Sequence, residues 1–193
     1  MDKKQIRHQM KKQRAKLSQK TVLEYSSAIW DKIYQKSLYK NAHTVFLYSS
    51  IGNEVDTAIL ASQALKDGKE IAYPVTNTKN MTMEFYKIDS LSQLYQVKSG
   101  SFKLYEPKTD PAKKAIPDAN SLMIVPGLAF DNKLYRTGYG GGFYDKYLAK
   151  YQGLTTIGVC YDFQKVDSLP TDKYDQAVSI LITPSNIYIK EPY

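Results

Sequence analysis

Apolar residues recur along this chain at two different periods, and the switches between them mark out its elements. At 100° per residue, Ile6, Met10 and Leu17 fall within about 40° of one another, a narrow stripe that predicts a first helix over 3–17. Lys3, Arg7 and Arg14 cluster along one flank of that stripe, while Lys4, His8, Lys11 and Lys12 lie further round. If the stripe packs on the body, the flanking three are held at the seam, where a cation can reach a bound anion; the alternative is a solvated basic face. Ser18 suits the N-cap of a second helix, with Val22, Tyr25, Ile29 and Ile33 at helical spacing.

Strand signals then alternate with helix signals. "TVFLY" (44–48) reads as a buried strand, Asp56 can cap a helix through about Lys66, Gly68 supplies its stop, and "EIAYPV" (70–75) is a strand again. That β-α-β unit implies parallel pairing with a right-handed crossover. "MTMEFYKI" (81–88) alternates as a further strand, and Ser90 with Gln93 fits the capping box of a short helix. The stretch from about Tyr105 to Asn120, with Pro107, Pro111 and Pro117, reads as a loop. After it come "LMIVP" (122–126) as a core strand, a helix over about 142–150, "TTIGVCY" (155–161) and "AVSILIT" (177–183). The pattern predicts a single α/β domain over 1–193, with a mostly parallel open sheet and helices on both faces.

Composition narrows the chemistry. A length of 193 residues suits one domain, and no apolar run approaches the roughly 18 residues needed to span a bilayer. No signal-peptide core follows the charged N-terminus, and with a single cysteine an internal disulfide is excluded, so the chain reads as soluble, monomeric and cytoplasmic. Cys160, in an apolar run, reads as a buried thiol, and one cysteine with two histidines cannot build a typical structural zinc site. The net charge of +8 raises the possibility of nucleic acid. Residues 1–20, however, hold eight Lys or Arg against Asp2 alone, +7, which leaves +1 for the other 173. The basic character belongs to one helix.

"RTGYGGGFYDKYL" (136–148) concentrates the candidate chemistry. Gly138, Gly140, Gly141 and Gly142 let backbone N–H groups converge on an anion, with a helix N-terminus behind them, beyond the end of a core strand. Neither the P-loop nor the dinucleotide spacing fits, because no Gly-Lys-Ser/Thr closes the run and Phe143 stands where the last dinucleotide glycine would fall. Asp145 in the first helical turn is ordinarily a dipole partner, worth about 0.3–1 kcal/mol. A carboxylate about 4 Å from a phosphate would be opposed by roughly 4 kcal/mol at an effective dielectric near 20, so a phosphate here calls for an intervening cation such as Mg²⁺. Arg136 could add a second positive group or be a solvated loop arginine.

The run "VPGLAFDNKLYRTGYGGGFYDKYL" also resembles the signature of the 5-formyltetrahydrofolate cyclo-ligase (methenyltetrahydrofolate synthetase) family, and "KKQIR", "NEVDT" and "LPTDKYDQAVSILIT" follow the family's order. The resemblance implies an ATP- and Mg²⁺-dependent closure of 5-formyltetrahydrofolate to 5,10-methenyltetrahydrofolate, with ADP and phosphate released after phosphorylation of the formyl oxygen. It implies an ATP-binding set of Lys3, Lys4, Arg7, Arg136, Gly138, Tyr139, Gly140, Gly141, Gly142, Phe143 and Tyr144, with Arg136 and Asp145 catalytic. It further implies Asp145 and Asp175 as magnesium ligands, Glu54 as the acid that binds the folate, and Ser49 or a neighbour in the same pocket. Tyr144 and Phe130 could pack on folate rings, although aromatics beside a sheet are more often core. Thr137, Phe143, Asp172 and Tyr174 replace the leucine, tyrosine, glutamate and histidine usual in the family. Two rival readings are another phosphate-ligand enzyme on a similar sheet (a sugar-phosphate isomerase or an acyl-CoA transferase) and a nucleic-acid binder using the basic helix. The second of these leaves the glycine loop unexplained.

Overall fold

The alternating strands pair into one eight-stranded mixed sheet in the computed structural model, which describes residues 1–99 and 102–190. The first half of the chain runs α1 (Lys3–Arg14), α2 (Gln19–Tyr34), α3 (Ser37–Asn41), β1 (Thr44–Phe46), α4 (Thr57–Lys66), β2 (Glu70–Asn77) and β3 (Thr82–Ile88). A hairpin of β4 (Leu94–Ser99) and β5 (Phe102–Pro107) follows, then β6 (Lys114–Ala115), β7 (Ser121–Pro126) and a small ribbon of β8 (Ala129–Phe130) with β9 (Arg136–Thr137). Helix α5 (Phe143–Lys150) and strands β10 (Thr155–Val159), β11 (Ile180–Ile182) and β12 (Ile187–Ile189) complete it.

The sheet order is β12-β11-β10-β7-β1-β2-β3-β6. From β11 to β2 every neighbouring pair is parallel, while β12, β3 and β6 join antiparallel at the edges. The chain leaves β1 towards β2 on one side, and returns through β7 towards β10 on the other. The direction of winding therefore reverses between β1 and β7, and in open α/β sheets the crevice beyond such a reversal is where ligands bind.

Side chains alternate across the sheet because the strand period is two. Val45, Leu47, Ile71, Leu122, Ile124 and Ile157 join Ile29, Trp30, Leu60 and Ala61 of α2 and α4 in one core layer. Phe46, Ala72, Met123 and Val125 meet Tyr147 and Leu148 of α5 in the other. Helices thus cover both faces, as the sequence pattern predicts. Three caps explain where helices begin: Asp2 and Gln5 form a capping box on α1, Ser18 accepts from Thr21 N, and Asp56 accepts from Ala58 N.

The differences from expectation are local. Helix α1 ends at Arg14, so Leu17 falls beyond it, and Tyr25 of α2 is 39% exposed instead of lying on the buried face. The short helix at Ser90 is a single 3₁₀ turn over Leu91–Gln93, capped by the Ser90 side chain. The segment read as a loop from Tyr105 begins inside β5, because the prolines that argued for a loop lie at or beyond the end of that strand. Strand β12 continues the sheet past the last stretch read as a strand. Among the described residues, no helix is long and apolar enough to cross a membrane.

Phe130 is fully buried, so it is a core residue and not a ring presented to a ligand. Two glycines make room for it: a Cβ added at Gly127 would lie 2.5 Å from Phe130 Cε2, and one at Gly158 would lie 2.6 Å from Cε1. A Gly158→Ala variant should therefore lose about 1–3 kcal/mol through overpacking, which a urea unfolding midpoint will show.

Candidate active site

A cavity of about 1000 Å³ opens beyond the carboxyl ends of β1, β2 and β7, at the reversal of winding. Tyr48, Ser49, Ile51 and Glu54 follow β1, Pro126 and Gly127 close β7, and the glycine loop with the start of α5 forms the opposite wall. The β4–β5 hairpin contributes Leu104, Tyr105 and Glu106; it is held by Glu106, which accepts from Thr76 N and Oγ1 at 3.1 and 2.7 Å.

The glycine loop is presented by the β8–β9 ribbon. Asp131 Oδ1 accepts from Lys133 N at 3.0 Å and Tyr135 N at 2.9 Å, which closes the turn and delivers Arg136 and Thr137 to the cavity. Gly140 (φ 108°) and Gly142 (φ 65°) adopt backbone that L side chains rarely take and that favours glycine. Gly142 is the N-cap of α5 and makes no side-chain cap, which suits a helix start left open to an anion.

Three cations of α1 close the loop's outer side, and all three are the ones that the helical wheel placed on the flank of the apolar stripe. Ile6 and Met10 bury against Leu128, Ala129 and Leu169, which fixes the helix beside the ribbon. Lys3 Nζ then meets Asp175 Oδ2 at 2.6 Å and Asp172 Oδ2 at 3.2 Å. Arg7 Nε donates to Gly138 O at 2.8 Å. Arg14 Nη1 lies 3.4 Å from Glu54 Oε1, and its Nη2 donates to the Tyr139 hydroxyl. Lys4, the remaining basic residue of the expected ATP set, is exposed and does not line the cavity.

Charge is buried here in opposed pairs. Arg136 is 6% exposed; its Nη1 donates to Gln176 O at 2.7 Å and its Nη2 lies 3.1 Å from Asp145 Oδ1. It is not a solvated loop arginine. Burial pulls its pKa down, and Asp145 works in the opposite sense. Gln176 N also donates to Asp145 Oδ1, at 3.1 Å, so the loop after Leu169 is tied to the first turn of α5. Lys3 is held above its ordinary value, because its bonds to Asp175 and Asp172 outweigh the downward pull of burial. Burial pushes the Glu54 carboxyl up, against Arg14, Tyr139 and Ile51 N, which favour its charged form. Cys160 is buried in the core, and burial raises its thiol.

These residues also fit a magnesium nucleotide. Asp145 and Asp175 both line the cavity, and their partners described above gather on one oxygen of each, Oδ1 and Oδ2 respectively. Among the described residues no group of three or more His, Cys, Asp or Glu could cage a metal.

The sequence model of the 5-formyltetrahydrofolate cyclo-ligase family matches residues 1–184. The chain belongs to this family. It is 32% identical over 151 residues to the 5-formyltetrahydrofolate cyclo-ligase of Escherichia coli strain K12, covering 76% of this chain and 81% of that one. It is 28% identical over 202 residues to the probable 5-formyltetrahydrofolate cyclo-ligase of Schizosaccharomyces pombe, covering 97% of each. The solution structure of Aquifex aeolicus 5,10-methenyltetrahydrofolate synthetase matches with a TM-score of 0.82 at 30% identity, over 100% of this chain and 95% of that one. The protein is accordingly a ligase of the cyclo-ligase family.

Within that frame, the cavity gathers Lys3, Arg7, Ser49, Glu54, Arg136, residues 138–145 and Asp175, all expected from the sequence. The wall formed by the hairpin was not foreseen, nor was the clasp of Arg14 and Tyr139 on Glu54. The wheel held a signal for Arg14; no spacing links Tyr139 to a carboxylate 85 residues away. Replacing Arg136 by Ala should take the cation from Asp145, which keeps only Gln176 N, and the Arg136 donor from the Gln176 carbonyl. Because Asp145 is partly exposed, the expected loss is about 2–3 kcal/mol, below the about 3–5 kcal/mol of a fully buried pair, read from denaturant unfolding.

Proposed function

We propose that this protein converts 5-formyltetrahydrofolate and ATP to 5,10-methenyltetrahydrofolate, ADP and phosphate, with Mg²⁺. The observation that carries the reading is that one cavity holds both the glycine loop with its cations and the buried carboxylate of Glu54. In the proposed reaction the formyl oxygen attacks the γ-phosphorus and ADP leaves. The neighbouring folate nitrogen then attacks the formyl carbon, phosphate departs with the former formyl oxygen, and the nitrogen loses its proton. No side-chain nucleophile is needed, so the protein's work is alignment and charge neutralisation.

The roles divide along the cavity. Backbone N–H groups of residues 138–142 and the N-terminus of α5 take the phosphates, with Lys3 and Arg7 at the outer side and Arg136 at the inner one. Asp145 and Asp175 would hold the metal, which when bound supplies charge neutralisation between phosphate oxygens. Glu54 accepts hydrogen bonds from the donor-rich edge of the pterin, beside Ser49 and the ring of Tyr144. An acid in that place suits a ligand edge made of N–H groups, and Arg14 already offsets the burial of its charge.

The rise in methenyl-folate absorbance, followed with and without Mg-ATP, tests the reading; no ATP-dependent rise would overturn it. Asp145→Ala should abolish turnover, and full activity of that variant at limiting Mg²⁺ would overturn the metal assignment. Glu54→Gln should raise KM for the folate by about tenfold or more, the effect of one lost hydrogen bond to a charged group, with a smaller change in kcat.

A further inference from the structure

One side chain belongs to both halves of the cavity. The backbone of Tyr139 lies within the glycine loop, between Gly138 and Gly140, yet its side chain turns towards α1 and Glu54. Its ring lies under the cations of Lys11 and Arg14, at 5.0 and 5.7 Å from the ring centroid. Its hydroxyl donates to Glu54 Oε1 at 2.7 Å and accepts from Arg14 Nη2. The other carboxylate oxygen, Oε2, accepts from Ile51 N at 2.8 Å. Glu54 is therefore oriented by three separate elements: its own loop, α1 and the glycine loop.

Of the three, only the glycine loop belongs to the phosphate cradle proposed above. Gly138 and Gly142 face open space where a Cβ would project, and Gly140 is in the left-handed region, so the loop's path rests on outside anchors, Arg7 on the Gly138 carbonyl and the Tyr139 side chain. Phosphate oxygens taken up by its N–H groups would fix that path, and with it the position from which Tyr139 reaches Glu54. Resting on the ATP and folate reading above, we infer that Tyr139 is a positioning residue that couples the two substrates: nucleotide on the glycine loop orders the carboxylate that receives the folate. Without nucleotide, the Tyr139 bond to Glu54 is held less firmly and the folate binds more weakly. Linkage makes the effect reciprocal.

The groups facing Glu54 are Arg14 from α1, Tyr139 from the glycine loop, Tyr48 after β1, Tyr144 from α5 and Tyr161 after β10. Arg14 is the one cation among them. Removing the Tyr139 hydroxyl leaves Arg14 and Ile51 N to hold the carboxylate in its charged form. Its protonation then moves to higher pH, and so does the acid limb of folate binding.

The test is calorimetric titration of the full chain with 5-formyltetrahydrofolate, with and without a non-hydrolysable ATP analogue and Mg²⁺. In the native protein the nucleotide should tighten folate about tenfold, a factor that one hydrogen bond to a charged group can supply. In Tyr139→Phe, which keeps the ring against Lys11 and Arg14, the ratio should fall to within about twofold of one, and the acid limb should move up in pH. Arg14→Lys, which keeps the hydroxyl, should weaken folate binding in both states and retain the coupling. Equal coupling in the native and Tyr139→Phe proteins, or no coupling in the native protein, overturns the inference while leaving ATP-dependent cyclisation intact. A native protein that binds no nucleotide overturns both.

Discussion

A run of glycines cannot hold its own shape, and here the guanidinium groups of α1 hold it from outside. Arg7 fastens the carbonyl of Gly138, and Arg14 fastens the hydroxyl of Tyr139 one residue further on. The loop's path depends on those two anchors, because its glycines carry no side chains that could pack it in place. The apolar stripe of Ile6 and Met10 matters for the same reason: it sets the height and rotation at which both arginines meet the loop. A helix whose surface looks like a generic basic face is in fact a strut: Lys3, Arg7 and Arg14 turn inward, while Lys4, Lys11 and Lys12 stay exposed.

The same arrangement explains how so many charges share one cavity. Lys3 faces Asp175 and Asp172, Arg14 faces Glu54, and Arg136 faces Asp145. Each pair keeps its cation from repelling the others, and each acid keeps a cation aimed at the cavity without a ligand present. Such pairs are poor sources of stability once their desolvation is counted. Their value lies in a field that is already organised, so that an anionic ligand meets oriented groups instead of having to orient them.

Much of this was legible in the sequence, because it is written in short-range patterns. The spacing of Ile6 and Met10, the caps at Ser18 and Asp56, and the β-branched runs of β1, β2 and β7 each report on residues within a turn or a strand. The flank of Lys3, Arg7 and Arg14 could be read from the wheel, and the glycine loop from its composition. The β4–β5 hairpin could not: its strands are amphipathic and partly exposed, and three nearby prolines carry the stronger signal. Tyr139 shows the deeper limit. Its partners are 85 and 125 residues away, so no periodicity encodes them; only the sheet's reversal of winding, which brings the ends of β1 and β7 together, creates the contact.

The position of the strut also sets an order of events. Helix α1 is synthesised well before the residues it contacts, which lie 40, 131 and 172 residues downstream, at Glu54, Gly138 and Asp175. Closing loops of that span carries an entropic cost that the earlier, more local β1-α4-β2 unit does not bear. A nascent chain therefore carries a basic amphipathic helix with nowhere to dock until β9, α5 and the loop around Asp175 have formed. The cavity is then among the last parts of the molecule to be completed, and a helix made well before its partners is the one that closes it.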